Sequence, residues 1–479
     1  MANMAQPGAA DAPAGRPLIK TLGELKASGY RSRSVKEELR HNLIRKLETD
    51  EPKFEGIVGF EETVVPQVEN ALLSGQDIIF LGERGQAKTR LARTLPTLLD
   101  EWLPFVEGCE INDDPLDPIC YKCRALLAEC GDDTPIDWLA RDRRYGEKLA
   151  TPDITIADLI GEVDPIKVAE GRYLSDELTI HYGLLPRTHR GIFVINELPD
   201  LAERIQVGLL NIMEERDVQI RGYKVRLPLD LFVIASANPE DYTNRGRIIT
   251  PLKDRFGSQI RTHYPRTVEH EMDIMEQERG IFEDEEYDTI VPSYMREIVA
   301  EVTHLARKSP EISQRSGVSV RVSVANYENM LSSALRRAIR LHERQVAPRI
   351  SDLTAMVQST GGKIELETVG DRDEEKVIDK LLQKAVLNVF NRHFALHEFD
   401  DLLVGFDNGL KIEVGDSLSS LEYVRQAAEV AGFTPAIKKL GGQGNPAQIA
   451  SSIELVLEGL HLNRKLNKDR TAGRMRYRS

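Results

Sequence analysis

The fold is decided by the stretch Asp77-Ile-Ile-Phe-Leu81-Gly82-Glu-Arg-Gly85-Gln-Ala87-Lys88-Thr89. Its apolar first part predicts a buried strand, and the residues from Lys88 to Leu99 predict a helix. Between them lies a close match to the pattern G-x-x-x-x-G-K-[ST], in which backbone N–H groups and the start of a helix surround phosphate groups. The stretch therefore predicts a nucleotide-binding loop placed between a strand and a helix.

The residues of this loop have distinct expected roles. Lys88 is expected to reach the β- and γ-phosphates, and the hydroxyl of Thr89 is expected to bind Mg²⁺. Ala87 stands where the pattern has its second glycine, and alanine fits there only if the position needs no positive φ. The residues predicted to bind the nucleotide are Gly82, Glu83, Arg84, Gly85, Gln86, Ala87, Lys88 and Thr89.

Two later apolar runs, 191–195 and 231–235, alternate with helical segments, which is typical of a parallel sheet covered on both faces. The first run ends in Asn196-Glu197, where a Walker B strand normally ends in Asp-Glu. Asn196 can hydrogen-bond metal-bound water but brings no charge. Glu197 is intact and is expected to polarise the attacking water.

Two polar residues further along the chain complete the candidate catalytic set. Asn238 follows the third apolar run and is expected to lie beside the γ-phosphate, where it positions water. Arg255, in the segment 252–257, is expected to reach the nucleotide of a neighbouring subunit and to stabilise charge on the transferred phosphoryl group. The predicted catalytic residues are therefore Glu197, Asn238 and Arg255.

The order of these motifs resembles that of an AAA+ ATPase over about residues 54 to 340. Val58-Gly-Phe-Glu-Glu62, Gly183-Leu-Leu-Pro-Arg-Thr-His-Arg-Gly191 and Leu252-Lys-Asp-Arg-Phe-Gly257 are similar to segments of the AAA+ subunit of magnesium chelatase. The Ala-Lys-Thr ending of the loop is instead similar to MoxR-type AAA+ proteins. The implied fold class is α/β, with an AAA+ P-loop parallel sheet core, an α-helical lid and a helical C-terminal region.

The resemblance also implies further site residues, cofactors and partners. Asn196 stands where the family has Asp, Arg321 matches the family's sensor 2, and Arg190 matches an arginine that contacts the nucleotide of the neighbouring subunit. ATP and Mg²⁺ are the implied cofactors. The implied assembly is a homo-hexameric ring that works with a partner carrying a von Willebrand factor A domain. In the chelatase, ATP hydrolysis drives insertion of Mg²⁺ into protoporphyrin IX by a separate subunit.

The domain organisation follows from changes of pattern along the chain. Ser34 and Glu37 have the spacing of a capping box and predict an amphipathic helix ahead of the core. The predicted regions are a disordered tail at 1–17, a helical arm at 18–53, an α/β ATPase core at 54–265 with a cysteine-rich insert at 105–135, a helical lid at 266–357, and a helical C-terminal region with a basic tail at 358–479.

All four cysteines, which are Cys109, Cys120, Cys123 and Cys130, lie in that insert. Four thiolates suit a tetrahedral Zn²⁺ ion, and the alternatives are an iron–sulfur cluster or four reduced thiols without a metal. The spacing matches no zinc-finger pattern. Any metal bound here is expected to be structural, because no ligand position is left open.

Composition limits the classes of function. The 479 residues include 63 Lys and Arg against 77 Asp and Glu, and the resulting net charge of −14 disfavours a dedicated nucleic-acid binder. No apolar run approaches the ~20 residues of a membrane span, and no targeting signal is evident, so a cytoplasmic protein is expected.

The leading hypothesis is a ring-forming ATPase that couples ATP hydrolysis to remodelling of a partner protein or to assisting metal insertion. The first alternative is a nucleotide-gated scaffold with weak turnover, because Asn196 weakens the handling of Mg²⁺. A DNA-associated regulator is the second alternative. The acidic charge disfavours it, and the basic residues after Asn463 are the feature in its favour.

Overall fold

The computed structural model describes residues 15–479 except 164–178, 216, 220–225, 239–246, 281–285, 314–316, 368–370, 429, 431 and 472–473. The chain forms two compact units. Unit 1 extends to Gly82 and continues over Ala87–Thr262, and unit 2 comprises Glu83–Gln86 and His263–Ser479. Unit 2 therefore includes both the predicted lid and the predicted C-terminal region. Most of the predicted tail at 1–17 lies outside the described residues.

A parallel sheet forms the centre of unit 1. Its strands are β1 (Ile78–Leu81), β2 (Tyr145–Leu149), β3 (Gly191–Asn196), β4 (Leu231–Ala237) and β5 (Ser258–Arg261). They lie in the order β5-β1-β4-β3-β2, and every neighbouring pair is parallel. All residues of β1, β3 and β4 are buried, as expected for strands covered on both faces. The predicted α/β core is confirmed.

The described helices of unit 1 surround this sheet and a set of small antiparallel strand pairs. The capping box predicted at Ser34 and Glu37 is present, and it starts the helix Val35–Glu48. The predicted helix from Lys88 ends at Thr94 and continues as the 3₁₀ turn Leu95–Leu98, because Pro96 lacks the N–H of an α-helix. The helices are Leu22–Ala27, Val35–Glu48, Val65–Leu73, Lys88–Thr94, Tyr121–Cys130, Ile156–Leu159, Leu184–Arg187, Glu203–Glu215 and Thr250–Arg255.

Three antiparallel pairs lie outside the central sheet of unit 1. Trp102–Val106 pairs with Ile136–Ala140 and closes the base of the cysteine-rich insert. The other two pairs are Gly161–Val163 with Ile180–Tyr182 and Asp217–Gln219 with Arg226–Pro228. Residues 218–226 alternate about Gly222, a pattern typical of a β-hairpin, and the described ends of this segment belong to the last pair.

Unit 2 is built mainly from helices. Apolar residues recur at helical spacing in 375–390 and in 447–462, and both segments lie within helices. The polar segment 358–362 has the composition of a linker but is partly helical, because Ser359 and Thr360 are buried and their hydroxyls both donate to Asn326 Oδ1, at 2.6 and 3.0 Å. The helices are Val268–Glu278, Ser293–Lys308, Val320–Arg340, Met356–Thr360, Asp371–His393, Asp400–Asp407, Ser420–Ala428, Phe433–Lys439 and Pro446–Leu462.

The basic tail at the end of the helical C-terminal region forms strands. Asn467–Thr471 and Arg474–Arg478 form an antiparallel hairpin, and the second strand also pairs with Ile412–Val414. Arg474 and Arg476 bind Glu413 at 3.3 and 3.1 Å. Tyr477, which lies between Arg476 and Arg478 in the sequence, is buried. Basic and apolar residues alternate with period two, which is the pattern of a half-buried strand. None of the helices in the described residues has the length and apolar character of a membrane span.

Candidate nucleotide site and cysteine cluster

The predicted phosphate-binding loop follows β1 directly. Lys88 is buried at the start of its helix, and its Nζ donates to the carbonyl of Gly82. At the tip of the loop, the N–H of Glu83 donates to Gln86 Oε1 at 3.1 Å. The carbonyl of Arg84 accepts from the hydroxyl of Tyr264 at 2.9 Å. Hydrogen bonds within the loop and one from Tyr264 therefore hold it, and Lys88 is turned back toward Gly82.

Two loop positions have a left-handed backbone. Gly85 has φ +76°, and a Cβ there would collide with Ser319. Ala87 has φ +53° and ψ +16°, so the expectation that alanine requires a non-positive φ at this position is wrong. The loop keeps the conformation that glycine favours and holds an alanine in it, at a cost of roughly 1 kcal/mol.

Asn196 and Thr89 contact each other directly. Its Oδ1 accepts a hydrogen bond from Thr89 Oγ1 at 3.2 Å and one from Ser236 Oγ, also at 3.2 Å. Its Nδ2 donates to Glu147 Oε1 at 2.7 Å. These contacts fix which end of the amide faces the loop, because an ionised carboxylate only accepts hydrogen bonds.

Glu147 is a site residue that the sequence reasoning missed. It lies on β2 and accepts from both Nε and Nη2 of Arg93 at 2.9 Å and from the Tyr145 hydroxyl at 2.9 Å. Partial burial acts to raise the pKa of Glu147, but the hydrogen bonds from Arg93 and Tyr145 prevail and lower it. Glu147 is therefore a carboxylate one hydrogen bond away from Asn196.

Glu197 and Asn238 follow neighbouring strands. Glu197 comes directly after β3 with φ +55°, and its N–H donates to Ser236 Oγ at 3.2 Å. Asn238 comes directly after β4 and is buried. Because the carboxyl ends of parallel strands meet at one edge of a sheet, both residues lie at the edge where the phosphate-binding loop leaves β1.

The three predicted arginines have different surroundings. Arg190 is buried, donates to the carbonyl of Pro104 at 2.7 Å and pairs with Asp114 at 3.5 Å. It fastens the cysteine-rich insert to the core and is not available to a neighbouring subunit, contrary to the expectation. Arg255 ends its helix, pairs with Glu214 and keeps 35% of its side chain exposed. Arg321 lies exposed in the first turn of the helix Val320–Arg340, in unit 2.

Three of the four cysteines converge in the insert. The Sγ atoms of Cys109, Cys120 and Cys123 and a carboxylate oxygen of Asp113 all lie within 4.8 Å of one another. Cys130 is the last residue of the helix Tyr121–Cys130 and lies seven positions after Cys123. The rise of an α-helix therefore places the two cysteines ~10 Å apart along the helix axis. The predicted set of four thiols is thus corrected to three thiols and one carboxylate.

The protein backbone organises this cluster. Asp113 is fully buried, and its two oxygens accept the N–H groups of Ile119 and Cys120, both at 2.8 Å. Cys120 caps the helix by accepting the N–H of Cys123 on its Sγ at 3.3 Å. Hydrogen bonds from the thiols of Cys120 and Cys123 lower the pKa of Cys109. The donors are soft thiol sulfurs and one hard oxygen, a set that suits Zn²⁺.

Comparison with known proteins gives distant relatives. No family model matches the chain. It is 24% identical over 216 residues to the uncharacterized protein YeaC of Bacillus subtilis (strain 168), covering 41% of this chain and 62% of YeaC. It is 25% identical over 138 residues to an archaeal Lon protease of Thermococcus kodakarensis, covering 26% of this chain and 21% of the protease. The chain thus spans less than two thirds of these curated relatives.

Solved structures also align with the chain at low identity. A complex between subunits BchI and BchD of magnesium chelatase aligns at 19% identity with a TM-score of 0.35, covering 68% of this chain and 98% of that chain. NtrX from Brucella abortus aligns at 16% identity with a TM-score of 0.39, covering 72% of this chain and 66% of that chain.

The fold class follows from the topology itself. A parallel sheet in the order β5-β1-β4-β3-β2 carries a phosphate-binding loop after β1 and Asn196-Glu197 at the end of β3. This arrangement is an α/β core with a parallel sheet, and the match to the phosphate-binding pattern lies at the carboxyl end of β1.

Proposed function

We propose that the protein is a ring-forming AAA+ ATPase of the magnesium chelatase and MoxR clade, which couples ATP hydrolysis to remodelling of a partner protein or to assisting metal insertion. The observation that carries the proposal is the hydrogen bond between Thr89 of the phosphate-binding loop and Asn196 at the end of β3, next to Glu197. This hydrogen bond brings a hydroxyl suited to Mg²⁺ next to an amide oxygen suited to metal-bound water. The following residue, Glu197, has a carboxylate suited to activating water.

Each residue has one role in this proposal. Lys88 and the loop N–H groups hold the phosphates of ATP, and Thr89 with Asn196 would hold the accompanying Mg²⁺. Glu197 accepts a hydrogen bond from the attacking water and orients it toward the γ-phosphate. Asn238 positions the same water from the neighbouring strand end. Most of the rate enhancement then comes from positioning and charge stabilisation.

Arg255 supports assembly into a ring. Its present partner Glu214 is itself exposed, and an exposed ion pair contributes little stability, so exchanging Glu214 for a phosphate of a neighbouring subunit is inexpensive. We propose a homo-hexamer in which Arg255 acts as the arginine finger and Arg321 as sensor 2. A partner with a von Willebrand factor A domain is proposed on the resemblance alone, and a cytoplasmic location is supported by four free cysteines.

Steady-state phosphate release tests the ATPase proposal. Glu197→Gln should lower release by at least ~100-fold, the usual contribution of a positioned base, while ATP binding is retained. Glu413→Gln removes a strand glutamate of unit 2 that is paired with two arginines, and it should leave release unchanged. Equal rates in the wild type and in Glu197→Gln would contradict hydrolysis at this site.

One observation favours a nucleotide-gated scaffold as the second candidate. Asn196 brings no charge to the place where the family has Asp, so Mg²⁺ is held less strongly by this residue. A scaffold would bind ATP and change its oligomeric state with nucleotide, as sedimentation velocity would show. Its phosphate release would equal that of Glu197→Gln.

We also propose that Cys109, Asp113, Cys120 and Cys123 hold one structural Zn²⁺. The donor set fits the ion, since three sulfurs and one oxygen of the insert lie within 4.8 Å of one another. The metal would join the helix Tyr121–Cys130 to the loop that carries Cys109 and Asp113, which the described hydrogen bonds already bring together.

Metal analysis of the purified protein tests the zinc proposal with a matched control. The wild type and Cys130→Ser should each contain one Zn²⁺ per chain, whereas Cys109→Ser and Cys123→Ser should contain far less. If the purified protein contains iron and inorganic sulfide instead of zinc, the bound group is an iron–sulfur cluster and the zinc proposal is wrong. A protein refolded with excess Zn²⁺ that retains none, or a Cys130→Ser variant that alone loses the metal, would contradict the proposed ligands.

A further inference from the structure

A closed circuit of hydrogen bonds surrounds the end of β3. Thr89 and Arg93 lie four residues apart, and thus on one face, of the helix Lys88–Thr94. Thr89 donates to Asn196 of β3, and Arg93 donates twice to Glu147 of β2. Asn196 and Glu147 complete the circuit with the 2.7 Å bond between Nδ2 and Oε1. The helix that follows the phosphate-binding loop is therefore attached to two neighbouring strands by one network.

The network selects one orientation of the Asn196 amide. If the amide were flipped, its oxygen would face the Glu147 carboxylate, and two acceptors would meet at hydrogen-bond distance without a proton between them. Both oxygens of Glu147 already accept hydrogen bonds from Arg93, so the amide presents its donor Nδ2 to β2 and its acceptor Oδ1 to Thr89 and Ser236. Asn196 is 8% exposed, so water cannot easily replace a lost partner.

We infer that Glu147 is a positioning residue for the Mg²⁺ of the nucleotide site. It holds Asn196 with its oxygen toward Thr89, so that a neutral amide presents the acceptor that a Walker B Asp would otherwise present. Glu147 acts through Asn196 and touches neither nucleotide nor metal in this role. The inference rests on the proposed function for its nucleotide, although its readout is Mg²⁺-dependent binding and not turnover.

The same geometry explains why β3 ends in Asn. An Asp at position 196 would place a second carboxylate at hydrogen-bond distance from Glu147, where two acceptors of the same charge would face each other without a donor. Asn196 and Glu147 are therefore a matched pair of amide and carboxylate. The departure from the family pattern at position 196 is balanced by a carboxylate on the adjacent strand.

Exchanging the two groups tests the inference. The binding of a fluorescent ATP analogue is titrated with Mg²⁺, and the Mg²⁺ concentration at half-saturation is compared among Asn196→Asp, Glu147→Gln, the double variant and the wild type. We expect about a tenfold increase for N196D and about a fivefold increase for E147Q, within the range for loss of a hydrogen bond to a charged group. In N196D/E147Q an amide again faces a carboxylate, so the half-saturation should return to within about twofold of the wild type.

The outcomes separate this inference from a structural role and from the ATPase proposal. The inference is overturned if N196D alone reaches half-saturation at a lower Mg²⁺ concentration than the wild type. It is also overturned if the increase in the double variant equals the product of the increases in the two single variants. If N196D does not fold, E147Q decides, because an unchanged half-saturation in E147Q also overturns it. Glu413→Gln serves as a control for removing an ion-paired strand glutamate. A wild type that binds Mg²⁺ and ATP without hydrolysing it contradicts only the proposed ATPase.

Discussion

The candidate nucleotide site and the cysteine cluster each differ from the pattern that predicted them. The nucleotide site has Asn196 in place of an acid, and the cluster lacks Cys130. In each case the structure supplies a carboxylate that the pattern did not include, Glu147 in the first and Asp113 in the second. Both carboxylates are fixed by hydrogen bonds from neighbouring elements.

The two sites differ in how they are supported. The nucleotide site is built at the carboxyl ends of parallel strands, where the fold itself brings distant residues together. The cluster is built inside an insert that begins and ends with the antiparallel pair Trp102–Val106 and Ile136–Ala140. We therefore expect the nucleotide site to depend on the sheet, and the cluster to depend on its own ligands and on any metal they hold.

The largest expected effect tests whether the two sites are independent. Lys88→Ala removes the only side chain of the loop predicted to reach the β- and γ-phosphates, so ATP affinity should fall by ~100-fold or more, since a buried charged contact is lost. Its zinc content should be that of the wild type. Cys123→Ser should lose zinc and keep the ATP affinity of the wild type. Calorimetric titration measures the ATP affinity of both variants, and metal analysis measures their zinc content.

Loss of metal from Lys88→Ala, or equal loss of ATP affinity in both variants, would show that the sites are coupled. In that case the insert is a part of the nucleotide site and not a separate structural element.

The next effect concerns the carboxylate of the cluster. Asp113→Asn replaces one acceptor oxygen by an NH₂ group, which would face the N–H donor of Ile119 or Cys120. The free energy of unfolding should fall by about 2 kcal/mol, because one buried N–H group loses its acceptor. The midpoint of thermal unfolding should fall, and zinc content with it. Asp117→Asn, an exposed acid of the same loop, is the matched control. Equal midpoints for the two variants would remove Asp113 from the ligand set.

The sequence predicted the interior of the sheet better than its edges. The strands β1, β3 and β4 are wholly buried and therefore appear as continuous apolar runs. The edge strands β2 and β5 are partly exposed and carry polar residues, so no such run marks them. Glu147 was missed for this reason, because it lies on an edge strand whose existence the sequence did not indicate.

The ligands of the cluster could be predicted only in part. Residue type identified the cysteines, but a spacing cannot show that Cys130 ends the same helix that Cys120 begins. Asp113 belongs to the polar segment 112–117, where an acid that accepts buried N–H groups has the same sequence appearance as a solvated one. Similarly, the φ of Ala87 depends on how the loop closes and is not visible in residue type.

A smaller effect tests the strain in the phosphate-binding loop. Ala87→Gly should stabilise the protein by ~1 kcal/mol, because glycine adopts φ +53° without the steric cost that alanine has. Ala92→Gly, in the helix that follows, should destabilise it by at least a similar amount, since glycine gains entropy in the unfolded chain and leaves a buried gap. Urea unfolding measures both. A destabilising Ala87→Gly would mean that the left-handed conformation is not the one adopted in solution.

The smallest expected effect is the pH dependence of the ion pair between Arg93 and Glu147. The pKa of Glu147 is lowered in the folded protein, so its contribution to stability is present above its unfolded pKa near 4.5 and is lost as the pH falls through the folded value. Because Arg93 is largely exposed, the contribution should be at most ~1 kcal/mol. The free energy of unfolding of Glu147→Gln should therefore lie below that of the wild type at pH 7, and the difference should shrink as the pH falls below 4.5. A difference that persists unchanged at low pH would show that Glu147 stabilises the edge strand through packing. The ion pair between Arg93 and Glu147 would then not be what supports the candidate nucleotide site, and the contrast with the cysteine cluster would be lost.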